Sequence, residues 1–508
     1  MQLGRAKTPA GKSDKGTRVS IHRTKINFSF NVMGTIAPLI IALITVPIYV
    51  SQIGAARYGV LSIVWLLLGY FGFLDLGLSR AAVNALSKLK NSSQEERSKV
   101  LVTALSLNLV LGTLGGIILY YAGGFLLERS LAMPEALQPE VKETFPWIAF
   151  LLPLALISSV AIGTLESRER FLVANTLQFV GTTIGQVLPI ICALLIGPSL
   201  TVVIPAAALS RLFSLLLSLA VVYYDEKPLN FLAFNIKTAR ELIGYGGWVS
   251  ASAIINPLLM SLDQLVIGSA LGVAAVAHYS VPMNLILRSQ VFATATWRTL
   301  FPQWSRLSQH EAKILAEKAL VPLAYGYACV CAPAIVLIYP FIIWWMGKDF
   351  ASSAGPIAEL LLIGAWVNGL AYIPAGLLQG QNRPDVVAKF HIAEVIPFIL
   401  VLWFLTSQFG LIGAAAAWVL RVSVDAGLLF VAAGLLVTRI HVLIPPAACL
   451  LTAYLLVQLS NPTLFQGLAV AIVLAIASAA SAMALDSETR AFVINLVGAI
   501  RQRGFGQR

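Results

Sequence analysis

The chain has 508 residues, 58% hydrophobic and only 11% charged, with a net charge of +12 and a mean hydropathy of +0.83. Soluble domains are about 45–50% apolar and about 25% charged, so this composition excludes a soluble enzyme and any sizeable domain outside a bilayer. The apolar runs are continuous rather than alternating, which excludes a transmembrane β-barrel.

Met1 to Lys25 carries seven Lys/Arg. The apolar run after it has no small-residue cleavage pattern, so 1–25 reads as a retained basic arm rather than a signal peptide. A spanning helix needs about 20 residues, and fourteen spans are expected. They lie near 28–52, 58–80, 100–126, 146–165, 173–197, 201–224, 241–269, 275–304, 317–346, 356–380, 388–408, 411–437, 442–460 and 464–485. Cys192, Cys329, Cys331 and Cys449 all fall in apolar runs and read as small core residues. After the last span, Asp486 and Glu488 precede Phe492, Leu496 and Ile500 at helical spacing. An amphipathic helix on the cytoplasmic surface is expected over 486–508.

With the N-terminus inside, cytoplasmic segments hold 27 Lys/Arg, outer loops 4 and spans 4, of the 35 in the chain. The positive-inside rule therefore places both termini in the cytoplasm, and it accounts for the basic balance without a nucleic-acid partner.

Two stretches about 213 residues apart read alike. Gly163 to Arg170 corresponds to Gly376 to Arg383, each ending a span with an Arg at the same place. Ala206 to Arg211 matches Ala416 to Arg421, and Ile53-Gly54 with Tyr58 resembles Leu271-Gly272 with Tyr279. The expected fold is an all-α polytopic membrane protein built as two six-helix bundles, 26–224 and 241–440. A parallel internal repeat relates them, a cytoplasmic linker (225–240) joins them, and two helices (441–485) are appended.

Polar residues inside spans form one-sided stripes, which face protein or water rather than lipid. Span 1 carries Asn31, Thr35 and Tyr49; span 7 carries Ser252, Asn256 and Asp263; span 8 carries Ser280, Asn284, Arg288, Thr294 and Arg298. Each Arg in a bilayer centre costs roughly 2.5–3.5 kcal/mol. Arg211, Arg288, Arg298 and Arg421 are therefore expected to line a hydrated cationic cavity for an anionic group such as phosphate, whose oxygens suit the guanidinium fork. An internal ion pair is the competing reading, strongest for Arg421, which has Asp425 one turn away. Asp263, Glu359, His391 and Glu394 are candidates for ion coupling, with His391 and Glu394 close enough on one helix to form a protonation-sensitive pair. No phosphate-binding glycine loop, metal-ligand cluster or nucleophile elbow occurs in the sequence, so no cofactor is expected.

Gly69-Tyr70-Phe71-Gly72-Phe73-Leu74-Asp75-Leu76-Gly77-Leu78-Ser79-Arg80-Ala81, Asp263-Gln264-Leu265-Val266-Ile267-Gly268, Leu300-Phe301-Pro302, Trp345-Met346-Gly347-Lys348-Asp349-Phe350, Leu378-Gln379-Gly380-Gln381-Asn382-Arg383 and Phe409-Gly410-Leu411-Ile412-Gly413-Ala414-Ala415 stand along the chain. Together they resemble the polysaccharide (O-antigen type) repeat-unit flippases of the multidrug/oligosaccharidyl-lipid/polysaccharide exporter superfamily, over roughly residues 26–440. The resemblance implies two bundles around a central cavity in a bacterial inner membrane. It implies alternating-access movement of undecaprenyl-pyrophosphate-linked oligosaccharide, with membrane lipids, a polysaccharide polymerase and export machinery as partners. Within the superfamily the alternatives are a peptidoglycan lipid-precursor flippase and a multidrug exporter. An exporter of cationic drugs calls for an acidic cavity, and the one expected here is basic. A membrane-embedded glycan polymerase or transferase ranks lower, because the longest outer loop, Glu128 to Phe145, is too short to form a site alone.

Overall fold

The computed structural model describes residues 14–71, 75, 77–89, 92–123, 132–228, 230, 232–251, 262–460 and 464–485, with backbone alone at 14–39, 69–71, 122–123, 245–251, 436–441 and 485. Among the described residues there is no strand. The helices are α1 (Asp14–Phe71), α2 (Leu78–Lys88), α3 (Gln94–Ile118), α4 (Gln138–Ser167), α5 (Phe171–Leu195), α6 (Leu200–Asp225), α7 (Ile236–Ala251), α8 (Leu262–Ala270), α9 (Val273–Leu287), α10 (Val291–Trp304), α11 (Gln309–Met346), α12 (Lys348–Gly380), α13 (Pro384–Ala432), α14 (Leu436–Ser460) and α15 (Leu464–Leu485).

Ten helices among the described residues are long and apolar enough to cross a membrane. Two of them are pairs of spans run together. In α1 the break is Gly54 (φ 81°, ψ 158°) and in α13 it is Gly410 (φ 60°, ψ −140°). Both conformations are open to glycine and strained for other residues, so each glycine turns the chain between two spans without a loop. The span expected at 275–304 is divided by a 3₁₀ turn at Arg288–Gln290 into α9 and α10. Part of the span expected at 241–269 and the whole of the expected tail helix at 486–508 lie outside the described residues. Helix α1 starts at Asp14, within the basic arm.

Two loops matched in the sequence also match in backbone. Glu169 (φ 61°) and Asn382 (φ 58°) are the only non-glycine residues with positive φ among the described residues. Arg170 N–H donates to Leu165 O at 3.0 Å, and Arg383 N–H donates to Leu378 O at 2.8 Å, the same five-residue step. This is a helix C-terminal motif with a left-handed residue closing the last turn.

The chain forms two compact units, each discontinuous in sequence: 1–52, 71–124 and 139–251 form the first, and 53–70, 125–138 and 252–508 the second. The core of the first is built from small and branched residues of α2, α3, α4, α5, α6 and α7, among them Leu78, Ala82, Leu101, Ala104, Ala161 and Val222. Without a hydrophobic drive between helices in lipid, close packing of small residues holds such bundles together. One end is fastened by charge. Glu226, just past α6, accepts from Arg97 Nη2 at 2.7 Å and from Arg168 Nε at 2.6 Å. Arg97 and Glu226 are each only 1% exposed, and Arg97 also donates to Leu86 O at 2.7 Å. The starts of α2's last turn and α3, the end of α4 and the end of α6 are thereby tied at one point.

In the second unit, α11 and α12 pack together and carry the other helices around them. Glycines on α12 admit aromatic rings at close range: a methyl group at Gly376 would come within 2.5 Å of Trp297 and Trp304, and one at Gly364 within 2.4 Å of Trp418. The appended helices α14 and α15 belong to this unit. Gln458 donates to the buried Glu359 at 2.7 Å, and Ser478 donates to Tyr325 O at 3.1 Å.

Burial pushes the Glu226 carboxyl upward, but hydrogen bonds from Arg168 and Arg97, with their charges, outweigh it and hold the group down to about 2. A carboxyl depressed from its ordinary 4.5 stabilises the fold fully above about pH 4.5 and loses that contribution as the pH falls towards 2. Glu226→Ala strands the buried Arg97 and is expected to cost about 3–5 kcal/mol. Thermal unfolding of the purified protein checks both: the variant should melt lower at pH 7, and the gap from wild type should narrow in acid.

Candidate functional site

The second unit contains a cleft of about 370 Å³ between α10, α12 and α13. Arg298 and Trp297 enter it from α10, Asn368, Tyr372 and Gln379 from α12, and His391, Arg421 and Asp425 from the two halves of α13. The turn at Gly410 makes the last two face each other. Arg421 Nε donates to Glu394 Oε2 at 3.3 Å, and its guanidinium lies 5.3 Å from the Phe398 ring centre. One turn along, His391 Nε2 stands 3.6 Å from Asp425 Oδ1. Arg421, Glu394 and Asp425 are buried. Arg421 is thus internally paired, as in the competing reading, with Glu394 across the hairpin among its partners, and His391 stands opposite Asp425.

Position in the cleft comes from the neighbours. Ser289 and Tyr327 share a hydrogen bond of 2.6 Å, and Gln290 donates to Ala365 O at 2.9 Å, fixing the 3₁₀ turn against α11 and α12. Gly376 leaves room for Trp297, which also packs on Phe301 with ring centres 5.1 Å apart. The cleft thus joins aromatic faces, side-chain amides and two guanidinium groups. Arg421 is neutralised by the carboxyl groups beside it. No ion pair to Arg298 occurs among the described residues, and its side chain is exposed in the cleft. Such a lining can hold an anionic group at Arg298 and stack or hydrogen-bond a polar ring beside it.

Other residues expected at the site lie elsewhere. Arg211, Arg288 and Asn284 are exposed and do not line this cleft. Asp263 is buried and accepts from Tyr279 OH at 2.8 Å, while Glu359 is held by Gln458. In the first unit, Tyr49 OH donates to Gln186 O at 3.1 Å. Asn31 and Thr35 belong to α1 with their side chains outside the described residues, and Ser252 and Asn256 lie outside them altogether. Sequence reasoning missed Trp297, Asn368, Tyr372 and Gln379 as lining residues.

The family model described as "Polysaccharide biosynthesis protein" matches residues 25–308. The chain belongs to this family. It is 28% identical over 409 residues to a "Putative O-antigen transporter" of Shigella flexneri, covering 79% of this chain and 96% of that relative. Among solved structures, the fold resembles "Lipid II flippase MurJ, inward closed conformation", with a TM-score of 0.65, 14% identity and coverage of 89% of this chain and 97% of that one. It also resembles an inward-facing multidrug resistance MATE family transporter of the MOP superfamily, with a TM-score of 0.62, 16% identity and coverage of 82% and 99%. At these identities the two structures speak for the fold. The family member described here is accordingly a multi-pass helical membrane protein with a transporter fold.

Losing the Arg421 charge leaves Glu394 and Asp425 buried without their cation, which costs about 3–5 kcal/mol for a buried pair. Arg421→Met should therefore lower the melting temperature, and adding Glu394→Gln should restore part of it. Equal and additive losses in a double-mutant cycle would show that the two side chains do not interact.

Proposed function

We propose that this protein is a flippase that moves a lipid-linked oligosaccharide, of the undecaprenyl-pyrophosphate type, from the cytoplasmic to the outer leaflet of a bacterial inner membrane. The observation that carries the reading is the cleft of the second unit, in a chain whose family and near full-length relative belong to polysaccharide biosynthesis and export. Arg298 supplies an uncompensated guanidinium for pyrophosphate oxygens. Trp297 and Tyr372 offer faces for sugar rings, and Asn368 and Gln379 offer both donors and acceptors for hydroxyl groups. A relative named as a transporter and a charged cluster closed by internal pairing support transport as the chemistry of this site.

The cytoplasmic placement of both termini rests on the 27-to-4 distribution of Lys/Arg. The parallel repeat, with bundles at 26–224 and 241–440, is supported by the shared backbone at Glu169 and Asn382. Two bundles of one ancestry moving against each other fit alternating access. The His391–Asp425 and Arg421–Glu394 pairs offer a proton or cation a place to exchange with an internal charge, which gives the transport step an ion to couple to. A polysaccharide polymerase and export machinery are the partners that would consume the product outside.

A charge-assisted hydrogen bond contributes roughly 1.5–3 kcal/mol, so losing one worth about 2 kcal/mol weakens binding by about 30-fold. In cells lacking the native gene, Arg298→Ala should restore little glycan export at normal membrane abundance, and the lipid-linked precursor should accumulate. Arg298→Lys should restore part, since it keeps the charge and loses the fork. Wild-type export from Arg298→Ala would remove the anion-binding role.

A further inference from the structure

The first unit has a cleft of its own, about 480 Å³, lined by Ser79, Arg80, Ser158, Ser159, Glu166 and Gln178 among others. Its position in the chain is telling. Under the sequence match that pairs Gly163 with Gly376, Ser158, Ser159, Ile162, Glu166 and Gln178 fall on Ala371, Tyr372, Ala375, Gln379 and His391. All five of those residues line the cleft of the second unit. Each cleft also takes an arginine from an earlier helix, Arg80 in one and Arg298 in the other. The two clefts therefore occupy the same place in each half of the repeat, and their linings have diverged.

The divergence has a chemical direction. Ser159 donates to Ser79 Oγ at 2.5 Å, Ser79 donates to Asp75 Oδ1 at 2.6 Å, and Ser158 donates to Leu154 O at 2.7 Å. These hydroxyl protons are spent inside the protein, so Ser158 and Ser159 offer the cleft acceptor lone pairs. Glu166, partly buried, adds a carboxylate with no hydrogen bond or ion pair among the described residues. Arg80 and the Gln178 amide supply donors. A phosphate would meet the Glu166 carboxylate as like charge and find the serine protons already donated, and a simple cation would meet Arg80. A neutral group that both donates and accepts at every position satisfies the whole set, which is the character of sugar hydroxyls. Clefts that bind small ligands run from about 300 to 1,000 Å³, so the space is adequate.

We infer that the first unit holds a second, carbohydrate-binding cleft for uncharged sugar residues of the carried glycan, centred on Glu166, Gln178 and Arg80. The inference rests on the flippase reading and adds a sugar site in the half of the chain remote in sequence from the cationic cleft.

The test is site-specific photo-crosslinking in the full-length protein in living cells, with a diazirine amino acid at Ile162, at its counterpart Ala375, or at the exposed apolar Leu209 of α6, and mass spectrometry of the captured species. Ile162 and Ala375 should both capture sugar-bearing lipid and Leu209 only phospholipid. Glu166→Gln or Gln178→Ala should lower glycan capture at Ile162 about fivefold, the effect of one ordinary hydrogen bond, and leave capture at Ala375 within twofold. Glycan at Ala375 with only phospholipid at Ile162 would overturn the second site and spare the flippase reading. Glycan at Ile162 that is unchanged in both variants would likewise overturn the site. Glycan at neither position would overturn both.

Discussion

A charge inside a membrane protein has to be matched within the protein, because lipid offers nothing to neutralise it. Here that constraint is met by the hairpin of α13. Gly410 takes a backbone conformation that brings the second half of the helix back beside the first, so Arg421 meets Glu394 and His391 meets Asp425. The Arg421–Glu394 pair fastens the hairpin, and Arg421, His391 and Asp425 line one wall of the cleft. Arg421 is absorbed by its neighbours, and Arg298 has no ion pair among the described residues. Electrostatic pairing thus sets both the architecture of this wall and the charge the cleft presents.

The first unit uses the same logic at its edge. Arg97, Arg168 and Glu226 gather three helix ends around one carboxylate and leave the cleft between α2, α4 and α5 to serine, glutamine and one unpaired acid. The cleft of the second unit is lined by aromatic rings, amides and two arginines, and that of the first by serines, a glutamine, a glutamate and Arg80.

Much of the fold was legible in the sequence because lipid imposes a simple code: about 20 apolar residues make a span, and a polar residue inside one has a reason. Arg298, Arg421 and His391 were visible for that reason. Arg288 and Asn284 share a face with Arg298 only if span 8 is one straight helix. The 3₁₀ turn at Arg288–Gln290 advances about 120° per residue instead of 100°, so the face carrying Asn284 is out of phase with the one carrying Thr294 and Arg298. Trp297, Tyr372, Asn368 and Gln379 gave no signal, since aromatic and amide residues in spans are ordinary and only the packing of α10 on α12 turns them into a lining. The Arg97–Glu226–Arg168 cluster was hidden differently. Its arginines lie near span ends, where they count towards topology, and their common partner lies more than a hundred residues from Arg97.

Movement of a lipid-linked glycan between leaflets by this chain alone can be followed in a reconstituted system. The purified protein would be placed in liposomes containing undecaprenyl-pyrophosphate-linked oligosaccharide, and an impermeant glycan-modifying enzyme added outside would report substrate arriving from the inner leaflet. Modification should continue beyond the outer-leaflet pool with wild-type protein and stall at that pool with Arg298→Ala. Modification that stops at the outer-leaflet pool with folded wild-type protein, as in protein-free vesicles under every ion gradient applied, would contradict such movement.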